Sequence, residues 1–201
     1  MKTLDEHAIH HDPLEQFKRW LDEAIAENFR MPNAMTLATV SRDGKPSARI
    51  VLLKQVDERG FIFYTNYLSR KGKELSANPF ASLTFFWDTL DRQVRAEGSV
   101  IKVSEEESNQ YFQSRPRDSQ ISAVISSQSS IVESREELEN KWQELEQALT
   151  NKPIPRPQHW GGYCLKPASI EFWQGRESRL HDRILYELQN DGSWKISRLA
   201  P

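Results

Sequence analysis

Four stretches of this 201-residue chain gather side chains that bind anions or move protons. Arg70 and Lys71 follow Ser69 at the start of a short helix expected over residues 69–77, where the Ser69 hydroxyl can cap free N–H groups. The helix dipole favours anions at that end, so two cations there cost a little unless something negative docks against them. A phosphate meets both requirements, and a solvated basic turn is the alternative. Arg49 and Lys54 bracket the apolar run Ile50-Val51-Leu52-Leu53, which fits a strand buried on both faces. Such a strand seldom ends in bare charge: either the two cations reach solvent at the rim, or they face an anionic ligand held against the strand. Around Pro116, which pushes Arg115 out of helical geometry, the segment from Tyr111 to Ser119 can aim a phenol, two guanidiniums and hydroxyls at one point. After Trp173, Arg176, Arg179, His181 and Arg183 crowd a loop of a kind that is solvated in most proteins. Gln93, inside an expected strand, is either a surface amide or a ligand contact, and the hydroxyl-rich residues 126–130 around Gln128 and Ser129 have a connector as their plain reading.

Composition makes any anion site a local one. With 27 Lys plus Arg against 29 Asp plus Glu, the net charge of -2 gives no general reason to expect nucleic acid. One cysteine, Cys164, excludes an intramolecular disulfide framework, and no metal-ligand spacing such as His-Glu-x-x-His occurs, so no metal is expected. The N-terminus lacks an apolar signal core and no run approaches the roughly 18 apolar residues of a membrane span, so a soluble, cytoplasmic protein with no membrane partner is expected.

The elements that must position these residues are mostly strands. Asp12-Pro13 caps an amphipathic helix with Leu14, Phe17, Trp20, Leu21, Ala24 and Ile25 on one face. Residues 34–40 and 46–54 form a hairpin about Asp43-Gly44, and 61–65 follows after a short turn, which suggests an antiparallel meander. Strands at 79–87 and 92–103, helices from Ser104 and Ser134, a proline-rich connection at 151–157 and three closing strands at 160–165, 169–174 and 183–189 complete the chain. The class is mainly β with peripheral helices (α+β), a small barrel in one domain over residues 12–201, after a disordered tail at 1–11.

The segments RIVLLK at 49–54, FYTN at 63–66, SRKGKEL at 69–75, RQVRAEG at 92–98, YFQSRPRDSQI at 111–121, EFWQG at 171–175, RLHDR at 179–183 and the terminal RLAP together resemble the pyridoxine/pyridoxamine 5'-phosphate oxidase family. The resemblance runs from about residue 12 to the end. It implies an FMN-binding split β-barrel, a homodimer with two FMN sites at the subunit interface, and oxidation of pyridoxine or pyridoxamine 5'-phosphate to pyridoxal 5'-phosphate, with dioxygen as acceptor. By resemblance, the FMN group is Arg49, Ile50, Val51, Leu52, Leu53, Lys54, Tyr64, Thr65, Arg70, Lys71, Gln93, Gln128, Ser129, Trp173 and Arg183, with Gln93 and some late residues supplied by the other subunit. The substrate phosphate falls to Lys54, Tyr111, Arg115 and Ser119, and Arg179 and His181 lie beside the pyridine ring as the catalytic pair. Members of the family commonly carry a longer N-terminus with an Arg-x-x-Tyr segment over the substrate. The residues before Asp12 contain neither Arg nor Tyr, so deleting 1–11 is expected to leave turnover nearly intact. A non-catalytic FMN or pyridoxal phosphate binding protein is the alternative. The second phosphate group and the RLHDR motif favour the oxidase.

Overall fold

The computed structural model describes residues 4–201. Helix α1 (Pro13–Ala26) starts where the sequence dictates, with the Asp12 carboxylate accepting from Leu14 N at 2.8 Å and proline in the first turn. Its apolar face buries Leu14, Phe17, Trp20 and Ala24, and the Phe17 ring meets Phe61 and Phe85 at centroid distances of 4.9 and 4.7 Å. Strands β1 (Ala34–Val40), β2 (Pro46–Leu52), β3 (Gln55–Asp57) and β4 (Gly60–Asn66) precede helix α2 (Arg70–Ala77). Strands β5 (Phe80–Trp87) and β6 (Arg92–Lys102) follow, then helices α3 (Glu105–Ser114), α4 (Arg117–Ile125) and α5 (Arg135–Ala148), and strands β7 (Trp160–Gln174), β8 (Asp182–Leu188) and β9 (Trp194–Arg198).

All strand pairs are antiparallel, in the order β2-β1-β5-β6-β7-β4-β3, with β8 added to β7 and β9 to β8. Strand β7 is the spine. Its first part, Trp160–Leu165, pairs with β4, its last part, Ser169–Gln174, pairs with β8, and β6 runs along both. A register shift in the β6–β7 ladder between Glu97 and Gly98 bends the sheet, which curls over Leu37, Phe61, Phe63, Leu83, Phe85, Ile170, Phe172 and Tyr186. The fold is therefore mainly β with peripheral helices, a curled half-barrel of the split-barrel kind.

Four sequence expectations are corrected. The residue 49–54 run is not buried on both faces: β2 is an edge strand in the chain, Ile50 is 64% exposed, and Lys54 lies beyond the strand's end. The three early strands do not form a meander, because β4 leaves the first hairpin and pairs with β7 and β3. The first two closing strands are one, continuous through Pro167. Residues 4–11 are not a disordered tail, whereas residues 1–3 lie outside the described ones. Leu4 and Ile9 are buried in the core, Tyr186 Oη donates to the His10 carbonyl at 2.6 Å, and Arg198 pairs with Glu6. Removing this segment therefore strips apolar cover from the barrel, and the expectation of a harmless deletion no longer stands.

Candidate active site

Helix α2 begins tight against the preceding turn. A Cβ on Gly72 would lie 2.2 Å from the Tyr67 carbonyl oxygen, so only glycine lets the first helical turn sit this close. Ser69 Oγ caps it by accepting from Gly72 N at 3.3 Å, and the two first-turn cations then separate. Arg70 folds back one turn to Glu74 at 2.9 Å. Lys71 turns inward, 9% exposed, and donates to Thr65 Oγ1 at 3.2 Å and Gln128 Oε1 at 3.1 Å. Among the described residues it has no carboxylate partner. Burial, and secondly the Arg49 charge, push its pKa below the ordinary lysine value.

Glu74 is the junction of this cluster. It accepts from Ser47 at 2.6 Å and from Thr39, and pairs with Arg70 and, at 3.3 Å, with Arg49. Burial works against its charge, but the hydrogen bonds from Ser47, Thr39 and Arg70 outweigh it and hold the carboxyl at about 2. A depressed carboxylate pKa means that its contribution to stability is complete above the unfolded value of 4.5 and is lost as pH falls toward 2, so Glu74 is ionised at every working pH. Arg49 shares a sheet face with Leu37, whose carbonyl it also reaches at 3.2 Å. The loop carrying Gln128 is fixed by Asn66 Nδ2 donating to the Ser126 carbonyl at 3.0 Å, and Ser129 takes a left-handed φ of 72°.

Tyr64 precedes Thr65 on β4, so its ring points to the opposite face. There it stacks on Tyr111 of α3 at 3.9 Å, with Trp160 of β7 near-parallel to both at 5.6 and 6.2 Å. Lys54 Nζ lies 5.9 Å from the Tyr111 ring, and the Arg115 guanidinium sits 4.6 Å over Trp160. Arg115 Nη1 is buried with no hydrogen-bond partner, and burial lowers the residue's pKa. A buried donor left unsatisfied on a cation is costly, and an anion would answer both the donor and the charge. Ser119 lies in the first turn of α4, one helical turn from this guanidinium in sequence.

The remaining candidates stand elsewhere. Gln93, Trp173 and Arg183 are consecutive partners across β6, β7 and β8 and share one face of the sheet. His181 packs on Trp173 at 4.7 Å, whereas Arg179 is exposed at the tip of a turn in which it and Ser178 both have positive φ, 60° and 56°. Arg183 is held by Glu171 at 2.9 Å and by the Ala200 carbonyl at 2.8 Å. Trp160 and Trp173 lie at opposite ends of β7, a span of up to about 40 Å at strand rise. One chain thus brings together Arg49, Thr65, Arg70, Lys71 and Gln128 in one cluster and Lys54, Tyr64, Tyr111 and Arg115 in a second. It leaves Gln93, Trp173, Arg179, His181 and Arg183 as a third at the far end. Ile50 is exposed, Val51 and Leu52 are half-buried, Leu53 is core, and Ser129 is exposed.

Two participants were missed in the sequence. Glu74 had a signal, its spacing of four from Arg70 on an expected helix. Trp160 had none, since only the pairing of Asn66 with Trp160 brings it to Tyr64.

This fold defines a split-barrel protein. Residues 21–148 match the family model described as "Pyridoxamine 5'-phosphate oxidase", and residues 160–201 match "Pyridoxine 5'-phosphate oxidase C-terminal dimerisation region". The chain belongs to the pyridoxamine 5'-phosphate oxidase family, a family of oxidoreductases. It is 56% identical over 201 residues to a pyridoxine/pyridoxamine 5'-phosphate oxidase of Trichormus variabilis, covering 100% of this chain and 94% of the relative. A Burkholderia lata protein of the same name is 57% identical, covering 99% and 94%. Among solved structures, PhzG from Burkholderia lata in complex with tetrahydrophenazine-1-carboxylic acid superposes with a TM-score of 0.94 at 32% identity, covering 100% of this chain and 98% of that one. A pyridoxamine 5'-phosphate oxidase-related, FMN binding protein from Nostoc punctiforme shares the fold, with a TM-score of 0.74 at 16% identity over 92% of this chain and 97% of that one. Among the described residues no helix is long and apolar enough to cross a membrane.

Proposed function

We propose that this chain is an FMN-dependent pyridoxine/pyridoxamine 5'-phosphate oxidase, acting as a homodimer. The observation that carries the reading is a pair of inward-facing cations without carboxylate partners among the described residues, Lys71 and Arg115, serving opposite faces of β4. Two phosphates are the economical complement: that of FMN at Lys71, Thr65, Gln128, Arg49 and Arg70, and that of the substrate at Arg115, Lys54, Tyr111 and Ser119. The names of the relatives support the same chemistry. FMN, when bound, supplies the two-electron chemistry and passes the electrons to dioxygen. Pyridoxine 5'-phosphate plus dioxygen then gives pyridoxal 5'-phosphate plus hydrogen peroxide, and the amine additionally consumes water and releases ammonia.

The chain's own residues bind, align and handle protons. Lys71, held by Thr65 and Gln128, fixes the cofactor phosphate, and Glu74 keeps Arg49 and Arg70 aimed at it. The segment from Arg49, in β2, to Lys54, just beyond its end, spaces the two phosphate groups. Gln93, Trp173, Arg183, Arg179 and His181 complete the site from the other subunit, because within one chain β7 holds them apart from Lys71 and Arg115. The C-terminal dimerisation region supports that arrangement. Arg179 and His181 then lie beside the pyridine ring, where His181 holds a donor proton toward the C4' substituent.

The phosphate cluster also favours this substrate over an unphosphorylated tricyclic acid such as the one in the PhzG complex. Under air, pyridoxine 5'-phosphate should yield pyridoxal 5'-phosphate and peroxide, with little product from unphosphorylated pyridoxine or from tetrahydrophenazine-1-carboxylic acid. Turnover of the tricyclic acid alone would move the chain to the other activity, and bound FMN with no turnover at all would make it a carrier. Lys54→Met is expected to weaken substrate binding about tenfold, the loss of one partly solvated charge contact, with FMN largely retained. Loss of FMN with an unchanged KM would reverse the division of the strand between the two ligands.

A further inference from the structure

The RLHDR segment is pinned from behind by groups that the proposed chemistry does not use. The Arg176 backbone N–H donates to His181 Nδ1 at 3.1 Å, and its side-chain Nε donates to Asp182 Oδ2 at 2.8 Å, so one residue clasps the neck of the turn at 176–182 twice. Both partners of the Arg176–Asp182 pair are largely shielded, with side chains 18% and 15% exposed. Asp182 is itself oriented from two further sides. Leu4 N donates to the same Oδ2 at 3.2 Å, and Arg198 Nη1 donates to Oδ1 at 2.7 Å while its Nη2 reaches the Leu4 carbonyl at 3.0 Å. Below the clasp, Gly175 N donates to the Asp91 carbonyl at 2.7 Å, and a Cβ on Gly175 would meet Asp91 Cβ at 2.8 Å, which fixes the base of the turn.

An imidazole that accepts at Nδ1 carries its proton, when neutral, on Nε2. We infer that Asp182 is a positioning residue that, through Arg176, holds His181 as its Nε2–H tautomer, and that residues 4–10 brace it. The inference rests on the proposed placement of His181 beside the substrate only for its catalytic consequence. The tautomer itself belongs to the chain alone. The N-terminal segment thereby acquires a defined role, since Leu4 and Glu6 close over Arg198 and Asp182 and so orient the turn that carries His181.

The test uses the FMN-loaded dimer with His181 observed by imidazole 15N NMR, comparing wild type with Asp182→Asn and Arg176→Ala. Wild type should show Nδ1 as the unprotonated nitrogen, and each variant a mixture of tautomers. kcat/KM for pyridoxine 5'-phosphate should fall about tenfold in each, the scale of one lost orienting hydrogen bond, with the FMN dissociation constant unchanged. The double variant should lose no more than the worse single one. A retained Nε2–H tautomer accompanied only by a lower Tm would overturn the inference and leave Asp182 a structural tie. A wild type that holds the tautomer yet never turns over the substrate would instead overturn the functional reading and leave this inference standing.

Discussion

Arg115→Met should raise the KM for pyridoxine 5'-phosphate by roughly a hundredfold, about 3 kcal/mol, while the FMN dissociation constant stays within twofold. The reason lies in what Arg115 lacks. Its Nη1 is buried without a partner, its guanidinium is seated on Trp160, and its backbone carbonyl is held by Gln120 Nε2 at 3.0 Å. The cation is therefore presented rigidly, and its desolvation is already met before substrate arrives, so binding gains a charge-assisted contact at little ordering cost. Methionine can keep an apolar contact with Trp160 while it removes the charge and the N–H donors. Steady-state kinetics with a parallel flavin titration read the two constants. A KM unchanged within twofold would remove Arg115 from the substrate site.

Lys71→Met should act in two directions at once. FMN affinity should fall by about a hundredfold, because a shielded ammonium facing a phosphate is lost. The apoprotein, however, should gain about 1 kcal/mol, seen as a rise of roughly 2–4 °C in Tm, because a desolvated cation beside Arg49 is replaced by an apolar chain of similar length. The sign with pH follows from the direction of the shift. Lys71 titrates below its unfolded value of 10.5, so the penalty on the folded state is full at neutral pH and lifts as pH rises toward 10.5. The Tm advantage of the variant should therefore shrink in that interval. FMN titration by fluorescence quenching and thermal melts of the apoprotein check both halves, and a destabilised apoprotein with unaltered FMN affinity would make Lys71 a structural residue.

What the sequence revealed was local. The Asp12-Pro13 start of α1, the left-handed Gly44 of the first hairpin at φ 81° and the Ser69 cap of α2 are decided within a few residues, and each formed where residue chemistry placed it. Partner choice between strands was not legible, since β4 joins β7 about a hundred residues later and no local preference encodes that. The apolar run at 50–53 misled for a related reason: hydrophobic length reports a wish for cover, and Ile50 on an edge strand does not find that cover within its own chain. Leu4 and Ile9 carried no signal either, being two apolar anchors without periodicity in a polar stretch. For the candidate site, the cation motifs were readable because unbalanced charge near a helix start is locally anomalous. The pairing of Glu74 with Arg70 could be read from their spacing of four, but its reach to Arg49 and the seat of Arg115 on Trp160 emerge only once the strands have paired.

As an oxidase the chain must place a phosphorylated pyridine substrate against bound FMN and take two electrons from it. The most direct measurement is the flavin absorbance of the FMN-loaded protein mixed with pyridoxine 5'-phosphate in the absence of oxygen. The absorbance should bleach, unphosphorylated pyridoxine should leave it nearly unchanged, and air should restore it with release of hydrogen peroxide. Flavin that stays oxidised with the phosphorylated substrate bound would contradict it.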